Sequence, residues 1–238
     1  LQYNPSNKKA TLVLPSRYIV APSEKLYLVK KERNGIDMCL SDNHNFAYIT
    51  SKGNMQKKVF SEVMELNEKS PDGFHARIET AFNYRGRGID LSEKEIRLMC
   101  AVIADGSFRP KLKLCTVNVK KERKKERMRM LLEGMQYKEY KRSDGYSSFR
   151  FYAPRREKEF TEFWYKCNKK QLKTICDEVF YWDGAINGVR KRFFSTSKQT
   201  ADFVQFALSA TGHRATLSPD YHRKKVCYTV TCSSFDSL

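Results

Sequence analysis

The sequence predicts an α+β fold in which one αββαββ unit occurs twice in tandem behind a smaller β-rich region. Three observations carry that expectation. The order of helices and strands over residues 86–166 recurs over residues 167–238. Each leading helix ends in Asp-Gly, at Asp105-Gly106 and Asp183-Gly184, 78 residues apart. Charge is also partitioned: residues 1–85 carry 13 Lys and Arg against 9 acids, a net of +4, while residues 86–238 net +14. The expected division is therefore a β-rich region, 1–85, and a tandem domain, 86–238.

In the first region the short apolar or alternating runs at Thr11–Leu14, Lys25–Lys30, Ile36–Leu40 and Phe46–Thr50, separated by Pro, Ser, Asn and Gly, read as strands. Lys57–Asn67 reads as a short helix, and Glu68–Gly73 and Asn83–Gly88 as linkers. The first repeat opens at Ser92, whose partner Glu95 three residues on completes a capping-box pattern ahead of the helix Ile96–Ala104. Strands follow over Phe108–Val119, then a charged helix, Lys120–Gly134. A hairpin comes next, Tyr137–Arg142 and Tyr146–Ala153, turning at Ser143-Asp144-Gly145. A helix over Glu157–Tyr165 closes the unit. The second repeat opens at Asn168, with Gln171 three residues on, and continues as a helix to Trp182. Strand-like Ala185–Ser195, a helix over Lys198–Ala210 and a hairpin, Arg214–Ser218 and Lys225–Cys232, complete it.

Composition narrows the function. A formal charge of +18 on 238 residues, with a sequence pI near 9.6, makes a polyanion the leading partner. The longest apolar stretches, such as Leu98–Ala104, are far short of a bilayer span, so no membrane association is expected. No secretory signal pattern opens the chain, and cytoplasmic or nucleoid-associated localisation is expected. The seven cysteines, at 39, 100, 115, 167, 176, 227 and 232, form no Cys-x-x-Cys or Cys/His cluster, which argues against a disulfide framework and structural zinc.

The paired Asp-Gly steps carry the chemistry. If the two leading helices pack about a pseudo-twofold axis, Asp105 and Asp183 arrive at one place, where close carboxylates repel unless a cation lies between them. Hard oxygen ligands suit Mg²⁺ or Mn²⁺, and such a cluster beside phosphates is suited to phosphodiester hydrolysis. The segment Leu98-Met99-Cys100-Ala101-Val102-Ile103-Ala104-Asp105-Gly106-Ser107-Phe108 resembles the first motif of the LAGLIDADG homing endonucleases of the intein-associated type, and Cys176–Gly184 resembles the second.

The resemblance implies two saddle-shaped antiparallel sheets along a DNA major groove and a motif-helix interface whose terminal acids bind the catalytic metals. Asp105 and Asp183 take that role by resemblance, with the carbonyls of Ala104 and Trp182 as further ligands. Where the family has small residues, Cys100 and Ala104 comply, but the second copy has Glu178 and Trp182, so strict symmetry of the two helices is not expected. Lys158 stands where the intein endonucleases carry an active-site lysine; alternatively it is a solvated lysine on a charged helix.

For DNA binding, the period of a strand puts Arg109, Lys111 and Lys113 on one face. Arg190, Lys191 and Arg192 lie on the equivalent strand of the second unit, and Arg150, Arg214, Lys224 and Lys225 on the hairpins. The run Lys120–Arg127 reads as an exposed helix face, with glutamates spaced to pair along it. Leu40–Phe46, containing His44, resembles the Thr-x-x-His block of Hint splicing domains. The chain begins Leu1-Gln2 and ends Asp236-Ser237-Leu238, without the residues splicing needs, so His44 is expected to be a splicing relic or part of a larger intein. The favoured function is a monomeric, Mg²⁺-dependent, site-specific double-strand DNA endonuclease. A catalytically inactive DNA-binding regulator and an RNA-binding maturase are the alternatives on the same scaffold.

Overall fold

The computed structural model describes the chain apart from residues 1, 5–6, 8, 19, 21, 23–24, 32–35, 71–77, 79–80, 111–113, 223 and 234–238. It divides into two compact units, 1–82 and 83–238.

The first unit consists of three antiparallel strand pairs and a helix: β1 (Gln2–Asn4) with β2 (Lys9–Thr11), β3 (Leu26–Lys31) with β4 (Ile36–Ser41), β5 (Asn45–Ile49) with β6 (Met55–Val59), then α1 (Phe60–Lys69). Its core is Tyr48, Phe60 and Val63, ringed by Tyr27, Val29, Leu40, Phe46 and Met64. Two expectations shift here. Leu12, Val13 and Leu14 are exposed and lie outside any strand, because Pro15 removes a donor and restrains the residue before it. Lys57, Lys58 and Val59 pair with β5, so the helix starts only at Phe60. The expected linker Glu68–Gly73 falls partly outside the described residues.

The second unit begins with a short strand, β7 (Asn83–Tyr84), and then runs α2 (Glu93–Asp105), β8 (Gly106–Phe108), β9 (Leu114–Val119), α3 (Glu122–Leu132), β10 (Tyr137–Lys141) and β11 (Ser147–Tyr152). The order recurs as α4 (Lys169–Asp183), β12 (Gly184–Asn187), β13 (Arg190–Ser195), α5 (Lys198–Ala210), β14 (Arg214–Asp220) and β15 (Cys227–Ser233). The two four-stranded sheets are ordered β8-β9-β11-β10 and β12-β13-β15-β14, all neighbours antiparallel. In both, the strand after the second helix goes to the edge and the last strand fills the gap, so the duplicated pattern folds as a duplicated topology.

Both leading helices are closed by reciprocal capping boxes, Ser92 with Glu95 and Asn168 with Gln171. Gln171 also accepts from the Ile89 N–H at 3.0 Å and donates to the Ile89 carbonyl at 2.7 Å, which ties the lead-in of α2 to the start of α4. α2 is buried on nearly every side, through Ile96, Leu98, Met99, Cys100, Ala101, Val102 and Ile103, as expected of a helix enclosed between a sheet and a second helix.

The glycines after the two aspartates are required by space, not by backbone freedom. A Cβ at Gly106 would stand 2.5 Å from the Val102 carbonyl oxygen, and one at Gly184 would stand 2.3 Å from that of Phe180. Each strand leaves its helix by passing directly over the last turn.

Two further expectations are corrected. The strands expected over Phe108–Val119 are the arms of a hairpin, with Arg109 between them and not on a strand face. β8 ends at Phe108, and the Arg109 N–H bonds back to the Leu114 carbonyl at 3.2 Å, with Pro110 in the turn. Glu157–Tyr165 is not a helix; it is an irregular segment followed by a 3-10 turn at Glu162–Lys166. Phe160 and Trp164, spaced as on a helix face, are instead buried by a bend. In it the Glu157 carboxylate accepts from Arg155 at 2.6 Å and from the Trp164 indole at 2.8 Å, and the Phe160 ring stacks on Phe203 at 4.6 Å.

Candidate acid pair and nucleic-acid interface

With the helix starts tied at Gln171, the C-terminal ends of α2 and α4 also meet. Lys124, on α3, puts its Nζ 2.6 Å from Asp105 Oδ2 and 4.0 Å from Asp183 Oδ1, and holds it over the Trp182 ring, 5.5 Å from the centroid. Its side chain is only 13% exposed, so it is not a solvated lysine. Burial, and then the charge of Asp105, push the Asp183 carboxyl above its usual range, with Lys124 and Lys158 opposing the shift. A pair that resists ionising together and has drawn in an ammonium is a donor set that fits a divalent cation. Ala104 and Trp182 directly precede the acids, in last helical turns whose carbonyls the helix ladder leaves open. Among the described residues no three His, Cys, Asp or Glu side chains gather as a metal cluster. Any ligation beyond the two carboxylates would therefore rest on backbone, water or substrate oxygens.

Lys158 reaches the same place from the irregular segment. Its Nζ donates to the carbonyls of Val102 at 2.8 Å and Ile103 at 2.7 Å, so a positive charge closes the C-terminus of α2. Burial lowers its pKa, against the pull of Cys115, Asp105 and Asp183. Lys158 and Asp183 share a cleft of about 560 Å³ with Ala104, Trp182, Ser197 and Thr200. The Thr200 hydroxyl in its wall is buried and has no hydrogen-bond partner among the described residues.

Behind the acids lies a buried ion-pair network that sequence reading missed. Glu178, 2% exposed, accepts from Arg97 of α2 at 2.9 Å, from Arg127 Nε of α3 at 3.0 Å and from the Trp182 indole at 3.0 Å. A second Arg127 nitrogen also pairs with it. Burial alone would raise the Glu178 carboxyl, but the two guanidinium groups hold it below its usual range. Glu178 and Trp182 therefore occupy the helix seam as members of one saturated network. Arg123 adds a bond to the Tyr181 carbonyl at 2.7 Å and lies over that ring at 4.8 Å. The expected exposed face of α3 holds for Lys120, Lys121, Glu122 and Glu126 but not for the whole run: Arg123 and Arg127 are docked on α4, and Lys124 reaches the ends of both α2 and α4. Nothing in the local sequence marks them, because their partners on α4 lie more than fifty residues away.

The sheet faces turned away from the helices sort the basic residues. In the first sheet Cys115, Val117, Phe149 and Phe151 are buried. Alternation then gives the opposite face Ser107, Thr116, Asn118, Lys138, Tyr140, Ser148 and Arg150, in register as Arg150 with Thr116 and Lys138 and as Ser148 with Asn118 and Tyr140. The Arg150 guanidinium lies over the Tyr140 ring at 4.7 Å. In the second sheet Phe193, Val230, Cys232 and Ala215 are buried, so Arg190, Arg192, Arg214, Thr216, Thr229 and Thr231 take the opposite face.

Lys191 stands apart from Arg190 and Arg192, as strand alternation places it. It lies on the helix side with Cys232, its Nζ 5.7 Å from the Phe180 ring and beside His213, whose pKa falls through burial and then the lysine's charge. Arg109 is exposed, but in the hairpin connection and not on a strand; Lys111 and Lys113, expected beside it, lie outside the described residues. Lys224 and Lys225 are exposed in the β14–β15 connection. His44 is exposed in the β4–β5 turn, which its backbone pins by bonds to Ser41 and Phe60.

The fold and the acid pair define a class: a tandem α+β chain that brings two helix-terminal carboxylates together between two antiparallel sheets. No family model matches the sequence, and no curated protein matches it. Among solved structures, mesophilic variants of the homing endonuclease I-DmoI are similar over 59% of this chain and 88% of theirs, at 16% identity and a TM-score of 0.44. I-DmoI in complex with DNA and Mn is similar over 59% and 89%, at 16% identity and a TM-score of 0.43. The N-terminal LAGLIDADG domain of DUF199/WhiA is similar over 61% and 77%, at 11% identity and a TM-score of 0.42. Among the described residues no helix is long and apolar enough to cross a membrane.

Proposed function

We propose that the chain is a LAGLIDADG-type, site-specific double-strand DNA endonuclease, dependent on Mg²⁺ or Mn²⁺ and working as a monomer whose two repeats supply both halves of the site. One observation carries this reading: Asp105 and Asp183 end two tied helices close enough for a single ammonium to reach both. The carboxylates hold the cation, with the Ala104 and Trp182 carbonyls as candidate further ligands. A bound divalent ion supplies an activated water and neutralises the leaving oxygen. Lys158, fixed on the end of α2, adds positive charge beside the acids and stabilises the charge that develops on the phosphate. Arg150, Arg190, Arg192 and Arg214, with the hydroxyl and amide groups of the outer faces, contact base edges in the groove; Lys224 and Lys225 contact backbone. The Hint-related origin of residues 1–85 belongs to this reading through Leu40–Phe46 alone, and so does a cytoplasmic or nucleoid-associated setting through the charge.

A second reading, a DNA-binding regulator without catalysis, is favoured by Lys124, which already neutralises the acid pair. Cleavage of a randomised plasmid library with and without Mg²⁺ or Mn²⁺ decides between them. Metal-dependent double-strand breaks at a defined site support the endonuclease. Tight binding to a selected site with no cutting under either metal overturns it in favour of the regulator.

A further inference from the structure

We propose that Lys124 is a resident counter-ion: it occupies the cation position between Asp105 and Asp183 in the metal-free chain and must leave before a divalent ion is held there. The inference rests on the endonuclease reading and extends it to the loading of the site. Three features support it. The ammonium reaches both carboxylates, at 2.6 and 4.0 Å, which an incidental surface pair has no reason to do. Its stem emerges from an α3 already pinned to α4 by Arg123 and Arg127, so the charge is delivered by a fixed element. The same ammonium already lies 5.5 Å from the Trp182 ring, whose indole N–H is tethered to Glu178 at 3.0 Å, so a fixed aromatic face stands beside it to receive the charge. Withdrawal onto that ring vacates the acids without returning the charge to solvent.

The arrangement is confined to one repeat. α3 has Lys124 as its third residue, whereas the third residue of α5 is Thr200, whose buried hydroxyl has no partner among the described residues. Lys124 thus closes the acids from the first repeat, while Asp183 lines the cleft whose wall includes Thr200.

The test is metal binding by the full chain without DNA, read by calorimetry, thermal melting and tryptophan emission. Lys124→Met and Lys124→Gln remove the competing charge. Each is expected to bind Mn²⁺ about tenfold more tightly than the wild type, to melt lower in metal-free buffer, and to gain more stability from added metal. In the wild type, Mn²⁺ is expected to change Trp182 emission as the ammonium moves relative to the ring, a signal lost in Trp182→Phe; this arm does not depend on the lysine variants folding. Unchanged or weaker Mn²⁺ affinity in both variants, or a silent Trp182, overturns the counter-ion. A wild type that binds no divalent cation at all overturns the endonuclease reading with it, whereas metal-dependent cleavage with unaltered affinity in the variants overturns the counter-ion alone.

Discussion

Glu178 stands in a helix seam where a buried carboxylate is tolerated only when every oxygen is engaged, and Arg97, Arg127 and the Trp182 indole engage them. Glu178→Gln leaves two guanidinium groups facing an amide. The expected loss of stability is about 3 kcal/mol, at the low end for a broken buried pair because both arginines keep some solvent contact; urea unfolding measures it. The pH dependence has a definite sign. The folded carboxyl is held below its ordinary value of 4.5, so the unfolded chain binds more protons in that interval. The stabilisation is complete above 4.5 and disappears as pH falls through the lower folded value. The Glu178→Gln variant should lose this part of the acid-unfolding limb; an identical limb in both proteins would remove Glu178 from the account. At the acid pair, Asp105→Asn and Asp183→Asn should each abolish double-strand cleavage while leaving DNA affinity unchanged or raised, since each removes a negative charge near phosphate. A gel that resolves nicked from linear plasmid checks this, and a variant still producing linear product would exclude its aspartate from the metal set.

At the scale of elements, what the sequence makes legible is whatever a local period or cap encodes. The capping boxes at Ser92 and Asn168 and the turn at Ser143-Asp144-Gly145 are local statements, and the structure follows them. The hairpin at Arg109 is hidden because Pro110 interrupts a pattern that still alternates. The bend at Glu157–Phe160 is hidden because Phe160 and Trp164 have helical spacing but are buried by tertiary bonds. The arginine partners of Glu178 and the reach of Lys124 to Asp183 are hidden because packing between repeats has no local signature.

Alternation also makes a sharp prediction within β13. Arg192 lies on the outer face and Lys191 on the helix side, one residue apart. Arg192→Ala should relax base preference at one or two adjacent pairs, by about 1–3 kcal/mol if the contact is bidentate to guanine. Lys191→Ala should leave both specificity and the salt slope unaltered. Binding to a library of singly substituted sites separates the two, and a specificity change from Lys191 would mean that the faces are reversed.

Across the whole molecule the charge and the fold divide in the same way. The unit from residue 83 onward folds around its own core of α2, α4 and the sheets, and residues 86–238 hold +14 of the +18. Counterion release from DNA depends on the number of phosphates neutralised, so the salt dependence of affinity belongs to the region that carries the charge. Removing residues 1–85 should therefore leave the slope of log affinity against log salt within about one unit of the full chain. Any contribution of the first unit then appears as a vertical offset, because +4 spread over 85 residues is too dilute to neutralise a row of phosphates. Fluorescence anisotropy over a salt series, with circular dichroism to establish that the shortened chain is folded, measures both terms. A folded 86–238 fragment whose slope collapses would assign DNA backbone contact to the first unit, and the two outer sheet faces would then be left with base readout alone.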